Sequence, residues 1–217
     1  MEEKKDLRDP DEKVVEIEME RLRPFTNHPF KVTGDSQMIE LQDSIKKYGV
    51  LNPLIVRPRQ EGYYEIISGH RRKYAAERLG YKKIPVIIRT MKDDEAVVTM
   101  VDSNLQREHI LPSERAKAYK MKMEALKHQG KRTDLTSCQV GTRLRADEEL
   151  AKQTGESART VQRFVRLNNL IPELLDLVDE KKIAFNPAVE ISYMKPEEQK
   201  EFYEAMEIAQ TTPSLSQ

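Results

Sequence analysis

The sequence predicts an α+β domain followed by an all-helical domain. Runs of β-branched and aromatic residues, typical of short strands, alternate with helical patterns only between residues 14 and 108. From residue 109 to residue 210 the apolar residues recur at helical spacing and no strand pattern is found. The charged residues 1–13 are expected to be a disordered tail, and residues 211–217 form a polar tail.

Composition excludes several classes of protein. The chain has 217 residues, of which 38% are hydrophobic and 34% are charged, with a formal net charge of +0. No apolar run approaches the roughly 18 residues that a membrane span needs, and the charged start is unlike a signal peptide. The single Cys138 excludes an internal disulfide. We therefore expect a soluble, cytoplasmic protein.

The first domain is predicted from alternating patterns and their boundaries. Asp35 or Ser36 can cap a helix that ends before Gly49, and residues 22–31 are predicted to be an irregular loop pinned by aromatic residues. His28 in that loop has no nearby Cys, His or carboxylate, so it is interpreted as a surface residue. The remaining predicted elements are strands at 14–19, 54–56, 63–68 and 84–88, and helices at 70–80 and 95–105.

The strand, turn and helix over residues 66–80 form the first candidate site. Gly69 breaks the strand and can adopt a backbone conformation that other residues resist. A glycine turn at a helix start offers free backbone N–H groups and the positive end of the helix dipole. Arg71 and Arg72 add guanidinium groups suited to phosphate. The pattern is also compatible with a solvated first turn that happens to be basic.

The second domain contains a candidate helix-turn-helix near residues 147–167. It follows a helix predicted from Pro112 to about Gln129 and a polar loop predicted over 130–145. The pattern consists of an alanine that lets the second helix approach, a glycine in the turn and apolar anchors: Leu150, Ala151, Gly155, Val161 and Phe164. Thr154 and Glu156 depart from it, because apolar residues are commoner there. A plain helical hairpin is the alternative interpretation.

The second helix of this motif is basic and contains no acidic residue. Arginine can bond guanine edges or phosphates, and glutamine can read adenine. Ser157 is placed to be the N-cap of the helix, and a solvated basic face is the alternative. The predicted DNA-binding residues are Ser157, Arg159, Thr160, Gln162, Arg163 and Arg166.

Charge is strongly segregated along the second domain. Residues 115–166 contain thirteen Lys or Arg and six Asp or Glu, a net charge of +7. Residues 173–207 contain four basic and ten acidic residues, a net charge of −6, within predicted helices at 172–181, 187–194 and 196–208. A basic stretch around a helix-turn-helix indicates a partner of double-stranded DNA, with affinity that falls as salt rises.

Three ordered sequence boxes resemble the ParB family of DNA-partition proteins. Residues 49–57, Gly-Val-Leu-Asn-Pro-Leu-Ile-Val-Arg, are similar to the first box, and residues 69–72, Gly-His-Arg-Arg, match its Gly-Glu-Arg-Arg box. Residues 104–108, Asn-Leu-Gln-Arg-Glu, match the box that ends the N-terminal domain. The resemblance runs in order from residue 14 to about residue 195 and implies a ParB/sulfiredoxin-like N-terminal domain before the helix-turn-helix.

The resemblance implies a DNA clamp that binds CTP with magnesium. By position, Gly69, Arg71 and Arg72 would hold the triphosphate, and His70 would belong to the same nucleotide-binding site. Asn104 would lie near the metal and the phosphates, with Arg107 close by. Two departures weaken that expectation, because the family glutamates are replaced by His70 and by Ser103. A magnesium ion prefers oxygen ligands such as carboxylates, so we expect weak or absent CTP hydrolysis.

The implied function is DNA partition at a centromere-like site, with a ParA-type ATPase as partner and a homodimer as the assembly. A C-terminal dimerisation domain is not recognised, which is compatible with a fragment of a longer protein. The departures suggest a plasmid or mobile-element relative. One alternative is a transcriptional regulator or DNA-binding adaptor with a degenerate nucleotide site. An enzyme related to sulfiredoxin or small-molecule kinases is the other, although Gly69 is followed by His70 rather than a cysteine.

Overall fold

The computed structural model describes residues 13–107, 109–133 and 145–209. The chain forms two compact units that divide between Met100 and Val101, whereas the predicted boundary follows residue 108. Residues 1–12 of the tail predicted over 1–13, the predicted tail at 211–217, most of the loop predicted over 130–145 and Cys138 lie outside the described residues. Within the described part, no helix is both long and apolar enough to cross a membrane.

The first unit is built on a five-stranded mixed sheet. Its strands are β1 (Val14–Glu18), β2 (Leu22–Arg23), β3 (Leu54–Pro58), β4 (Tyr64–Ser68) and β5 (Lys83–Ile88). They lie in the order β1-β5-β3-β4-β2, in which β5 and β3 are parallel and β3 and β4 form an antiparallel hairpin. β2 was not predicted, because residues 22–31 were interpreted as a loop. This two-residue strand pairs in parallel with β4, aligning Leu22 with Tyr64.

The helices of the first unit are α1 (Ser36–Tyr48), α2 (His70–Arg78) and most of α3 (Asp93–Leu105). Asp35 caps α1 by accepting the backbone N–H of Met38 at 2.8 Å, and Gly49 ends the helix with a φ of +72°. α1 packs against α2 through an apolar cluster that includes Met38, Ile45 and Ala75. A second buried cluster includes Ile66 of β4 and Ala76 of α2, so the strand before the turn and the helix after it share one core.

The second unit is helical in its described residues. It contains the end of α3 followed by α4 (Pro112–Thr133), α5 (Ala146–Thr154), α6 (Ala158–Arg166), α7 (Pro172–Asp179), α8 (Phe185–Ile191) and α9 (Pro196–Ala209). The predicted fold class, α+β followed by all-helical, is confirmed. Helix α4 continues to Thr133, so the prediction that the loop begins at Gly130 is wrong for residues 130–133.

Buried polar groups join the helices of the second unit. The ammonium group of Lys122 on α4 is fully buried and bonds to Asp102 on α3 and to Gln153 on α5. The buried amide of Gln199 accepts the N–H of Ile171 at 2.8 Å and donates to two backbone carbonyl oxygens. Because buried polar groups are costly when unpaired, these contacts fix how the helices pack.

Candidate functional site

The turn between β4 and α2 has a geometry that requires glycine. Gly69 adopts a φ of +106°, and a Cβ atom at this position would lie 2.7 Å from the Cγ atom of Leu54. Helix α2 starts directly afterwards, so the N–H groups of its first turn have no acceptor further back in the helix. The predicted strand, glycine turn and helix are therefore present, and they form a backbone arrangement suited to an anion.

Arg71 in the first turn of α2 is bound to a carboxylate of the same unit. Its Nη2 and Nη1 atoms donate to Oδ1 and Oδ2 of Asp35 at 2.8 and 3.2 Å. Hydrogen bonding from Arg71 is the main reason why the pKa of Asp35 is lowered to about 2. The guanidinium group that was predicted to hold phosphate is thus paired with an internal anion.

Arg72 is directed at backbone carbonyl groups instead. Its Nη1 atom donates to the carbonyl oxygen of Pro53 at 2.9 Å and to that of Asn52. Burial lowers the pKa of Arg72 below its usual range. In this structure Arg72 therefore ties α2 to the segment before β3, while its Nη2 atom lies beside Gly69.

His70, the residue in place of the family glutamate, is buried and anchors the loop that follows β2. Its Nε2 atom accepts the backbone N–H of Phe25 at 3.3 Å, and its ring centroid lies 3.9 Å from that of His28. The interpretation of His28 as an isolated surface residue is wrong. His28 is half-buried, and its Nδ1 atom is 2.7 Å from the carbonyl oxygen of Phe30. No local pattern could reveal a contact between residues 42 positions apart.

Asn104 and Arg107, the other residues predicted to bind nucleotide, belong to the second unit. Asn104 is buried near the end of α3, and its Nδ2 atom donates to the Ser103 hydroxyl at 3.2 Å. The backbone N–H of Arg107 donates to the carbonyl oxygen of Asn104 at 3.2 Å. Their contribution to a nucleotide site stays a prediction.

Helices α5 and α6 occupy the segment near residues 147–167 in which a helix-turn-helix is predicted. Gly155 in the turn adopts a φ of +72°, and Ser157 caps α6 by accepting the N–H of Thr160 at 3.0 Å. The interface between the two helices and α4 is closed by buried side chains: Tyr119, Leu150, Ala151 and Val161, with Phe164 packed against them.

The two departures in the turn are explained by polar contacts. The Thr154 hydroxyl donates to the carbonyl oxygen of Leu150 at 2.9 Å, and Arg115 of α4 donates to Glu156 at 3.0 Å. Burial, followed by the negative charge of Glu156, raises the pKa of Tyr119 to about 12. A polar cluster under the turn thus replaces the apolar contacts that are commoner at these positions.

The predicted DNA-binding residues of α6 differ in their contacts. The side chain of Arg159 is exposed and makes no hydrogen bond or ion pair with any described residue, whereas Gln162 donates to the buried Asp147 of α5. Arg163 donates to Asn186 of α8, and its guanidinium carbon lies 5.0 Å from the ring centroid of Phe185.

Arg166 is also held by residues at and beyond the end of α8. Its Nη2 atom donates to the carbonyl oxygen of Ser192 at 3.3 Å, and its guanidinium carbon lies 3.9 Å from the ring centroid of Tyr193. Tyr193 is itself well exposed. Neutral residues of α8 and of the segment after it therefore hold two of the predicted DNA-binding arginines.

Comparison with known proteins gives a consistent family. The ParB N-terminal domain model matches residues 3–105. The chromosome-partitioning protein Spo0J of Thermus thermophilus is 33% identical over 185 residues, which cover 85% of this chain and 62% of that protein. The resemblance to the ParB family is confirmed.

Other members of the ParB family give similar matches. A nucleoid occlusion protein of Listeria innocua is 31% identical over 87% of this chain and 60% of its own length. The C-terminally truncated chromosome-partitioning protein ParB from Caulobacter crescentus, solved in complex with the centromeric parS site, is 26% identical with a TM-score of 0.53, covering 82% of this chain and 84% of that chain. The chain spans about 60% of the length of the two curated relatives.

The described residues contain no ready-made cluster of metal-binding side chains. No group of three or more His, Cys, Asp or Glu side chains in residues 13–107, 109–133 and 145–209 could hold a metal ion. At the start of α2 the family glutamate is replaced by His70, whose Nε2 atom accepts a backbone N–H. The predicted role of Asn104 as a magnesium ligand stays untested.

Proposed function

We propose that this chain is the DNA-binding part of a ParB-type partition or nucleoid occlusion protein and binds a centromere-like duplex through α5 and α6. The observation that carries the proposal is the capped α6, whose charged residues are all arginines. A helix of about this length can enter the major groove, and its first residues would face the base edges. The relatives described as chromosome-partitioning and nucleoid occlusion proteins support this choice.

The arginines of α6 are suited to two different roles. Arg159 is exposed near the N-terminus of α6, so we assign it to contacts with bases. Arg163 and Arg166 are held by α8 and by the segment that follows it, which reduces the entropy lost when they bind a phosphate or a base. Gln162 is bonded to Asp147, so reading a base with this residue requires that hydrogen bond to break.

A duplex-binding series tests this proposal with matched charge changes. Arg159→Ala and Arg163→Ala should each weaken binding by about 1–3 kcal/mol, the usual value of a specific arginine contact. Lys200→Ala, which removes a charge from the exposed side of α9, should leave the affinity nearly unchanged. Fluorescence anisotropy with a parS-like duplex at several salt concentrations measures both affinity and salt dependence. Equal affinities for all four proteins would contradict the assigned surface.

We also propose that the start of α2 binds the triphosphate group of CTP. Support comes from the positive φ of Gly69, the backbone N–H groups of the first helical turn, the position of Arg71 and the match to the family box. Titration calorimetry with CTP, ATP and GTP is the test, and Arg71→Ala should abolish binding while the fold is retained. A ParA-type partner and a homodimer stay predictions from the family resemblance.

A DNA-binding adaptor without nucleotide control is the second candidate function. The observations in its favour are that His70 stands in place of the family glutamate and that Arg71 and Arg72 both already have acceptors. Binding of duplex DNA together with no detectable binding of any nucleotide would favour this function over the CTP-dependent one.

A further inference from the structure

The carboxylate of Asp35 lies where a phosphate group would meet Arg71. Both of its oxygens accept from the two terminal nitrogens of the guanidinium group, at 2.8 and 3.2 Å. This is the same two-pronged arrangement by which arginine binds the oxygens of a phosphate. The side chain of Arg71 is only 20% exposed, so the protein leaves little room for a second anion on the same edge of the guanidinium.

Asp35 is held firmly in this position. Its Oδ1 atom accepts the backbone N–H of Met38 at 2.8 Å, and its Oδ2 atom accepts the Thr33 hydroxyl at 3.1 Å. The carboxyl group remains ionised throughout the physiological range, because its pKa is lowered to about 2 by these bonds and chiefly by Arg71. A ligand phosphate would therefore meet a permanent, fixed negative charge.

The loop that precedes Asp35 is anchored to the same turn of α2. The N–H of Phe25 donates to His70, and the ring of His28 lies against that of His70. Contacts at both ends of residues 25–35 thus hold this segment to the first turn of α2. If Asp35 alone moves, α1 loses its N-cap hydrogen bond. If the whole segment moves, the contacts of Phe25 and His28 with His70 are lost.

We propose that Asp35 is an internal competitor for Arg71 and sets the affinity of the α2 site for phosphate-bearing ligands. A ligand phosphate has to displace Asp35 from the guanidinium group or bind beside it against like-charge repulsion. The proposal rests on the proposed binding of CTP at α2. It makes Asp35 an affinity-determining residue of that site, although it is not one of the positions matched to the family boxes.

Asp35→Asn tests this role without removing the helix cap, because asparagine is as good an N-cap as aspartate. The control is Asp43→Asn, which removes the same charge from an exposed position of α1. Calorimetry with CTP and with inorganic tripolyphosphate should show about tenfold tighter binding to Asp35→Asn for both ligands, a change that corresponds to loss of one nearby negative charge. Asp43→Asn should change the affinity by less than about twofold.

The outcomes separate this proposal from the proposed nucleotide function. Unchanged affinity in Asp35→Asn would overturn the competition, and weaker binding would show that Asp35 instead orients Arg71 for the ligand. The double variant Asp35→Asn/Arg71→Ala gives a second check. If it binds the ligands as tightly as Asp35→Asn does, the proposal is overturned, because the increase in affinity has to depend on Arg71. If neither ligand binds to the unmodified chain or to Asp35→Asn, the proposed nucleotide function fails together with this one.

Discussion

Gly69→Ala should destabilise the first unit much more than Gly80→Ala, although both glycines have a positive φ. The two values of φ are +106° and +80°, and each places an alanine in a region that costs about 1–2 kcal/mol. They differ in their surroundings. A Cβ atom at Gly69 would lie 2.7 Å from Leu54 Cγ, whereas one at Gly80 would have nothing within 4 Å.

The steric overlap gives the difference between the two variants. Forcing an extra methyl group into a well-packed site costs about 1–3 kcal/mol, because Leu54 is fully buried at the start of β3 and cannot move freely. The total for Gly69→Ala is then about 2–5 kcal/mol. The effect of alanine on the unfolded chain is similar at both positions and cancels in the comparison.

Urea titrations followed through NMR signals of β3 and β4 measure the unfolding of this unit. A double-mutant cycle with Leu54→Ala adds a second check, because removing the leucine methyl groups should relieve the overlap by about 1–3 kcal/mol. The reasoning would be refuted if the free energies of unfolding of the Gly69→Ala and Gly80→Ala variants agreed within about 0.5 kcal/mol. Such a result would mean that the hairpin shifts at little cost to accommodate the methyl group.

Three further predictions concern single contacts. Ser157→Ala should lower the stability of the second unit by about 1 kcal/mol, a fall of about 4–8 °C in Tm, and Ser157→Asn should restore most of it. In an ultraviolet pH titration, one tyrosine should ionise near pH 12, and this transition should be absent in Tyr119→Phe. Because the pKa of Tyr119 is raised in the folded state, the free energy of unfolding should fall as pH rises from about 10 to 12. The lowered pKa of Asp35 makes its contribution to stability fully present above pH 3.8 and lost as pH falls towards 2, so acid should destabilise Asp35→Asn less over this interval.

Elements with a local signal were predicted well from the sequence. The start of α1 follows from a capping aspartate, and its end from Gly49, both of which are defined by neighbouring backbone groups. The turn between α5 and α6 follows in the same way, because Gly155 and Ser157 mark it. In each case the residue type and the backbone conformation that it favours lie within a few positions of each other.

Contacts between distant residues could not be predicted in this way. Strand β2 exists because Leu22 and Arg23 pair with residues of β4 more than 40 positions away, and its own residues carry no strand pattern. The ion pair of Asp35 with Arg71 joins the N-cap of α1 to the first turn of α2. Asp35 is marked in the sequence as a helix cap and Arg71 by the glycine turn before it, and only the fold brings the two residues together.

The two candidate sites differ in how ready they are to bind. On α6, Arg163 and Arg166 are oriented by neutral partners. Among the described residues, no carboxylate is paired with either guanidinium group. On α2, Arg71 is already bound to a carboxylate. The proposed DNA binding by α6 would therefore need little rearrangement, whereas the proposed binding of a phosphate at α2 would first have to break an ion pair. It follows that duplex binding should be detectable without nucleotide, and that nucleotide binding should be the step that is sensitive to residues 25–35.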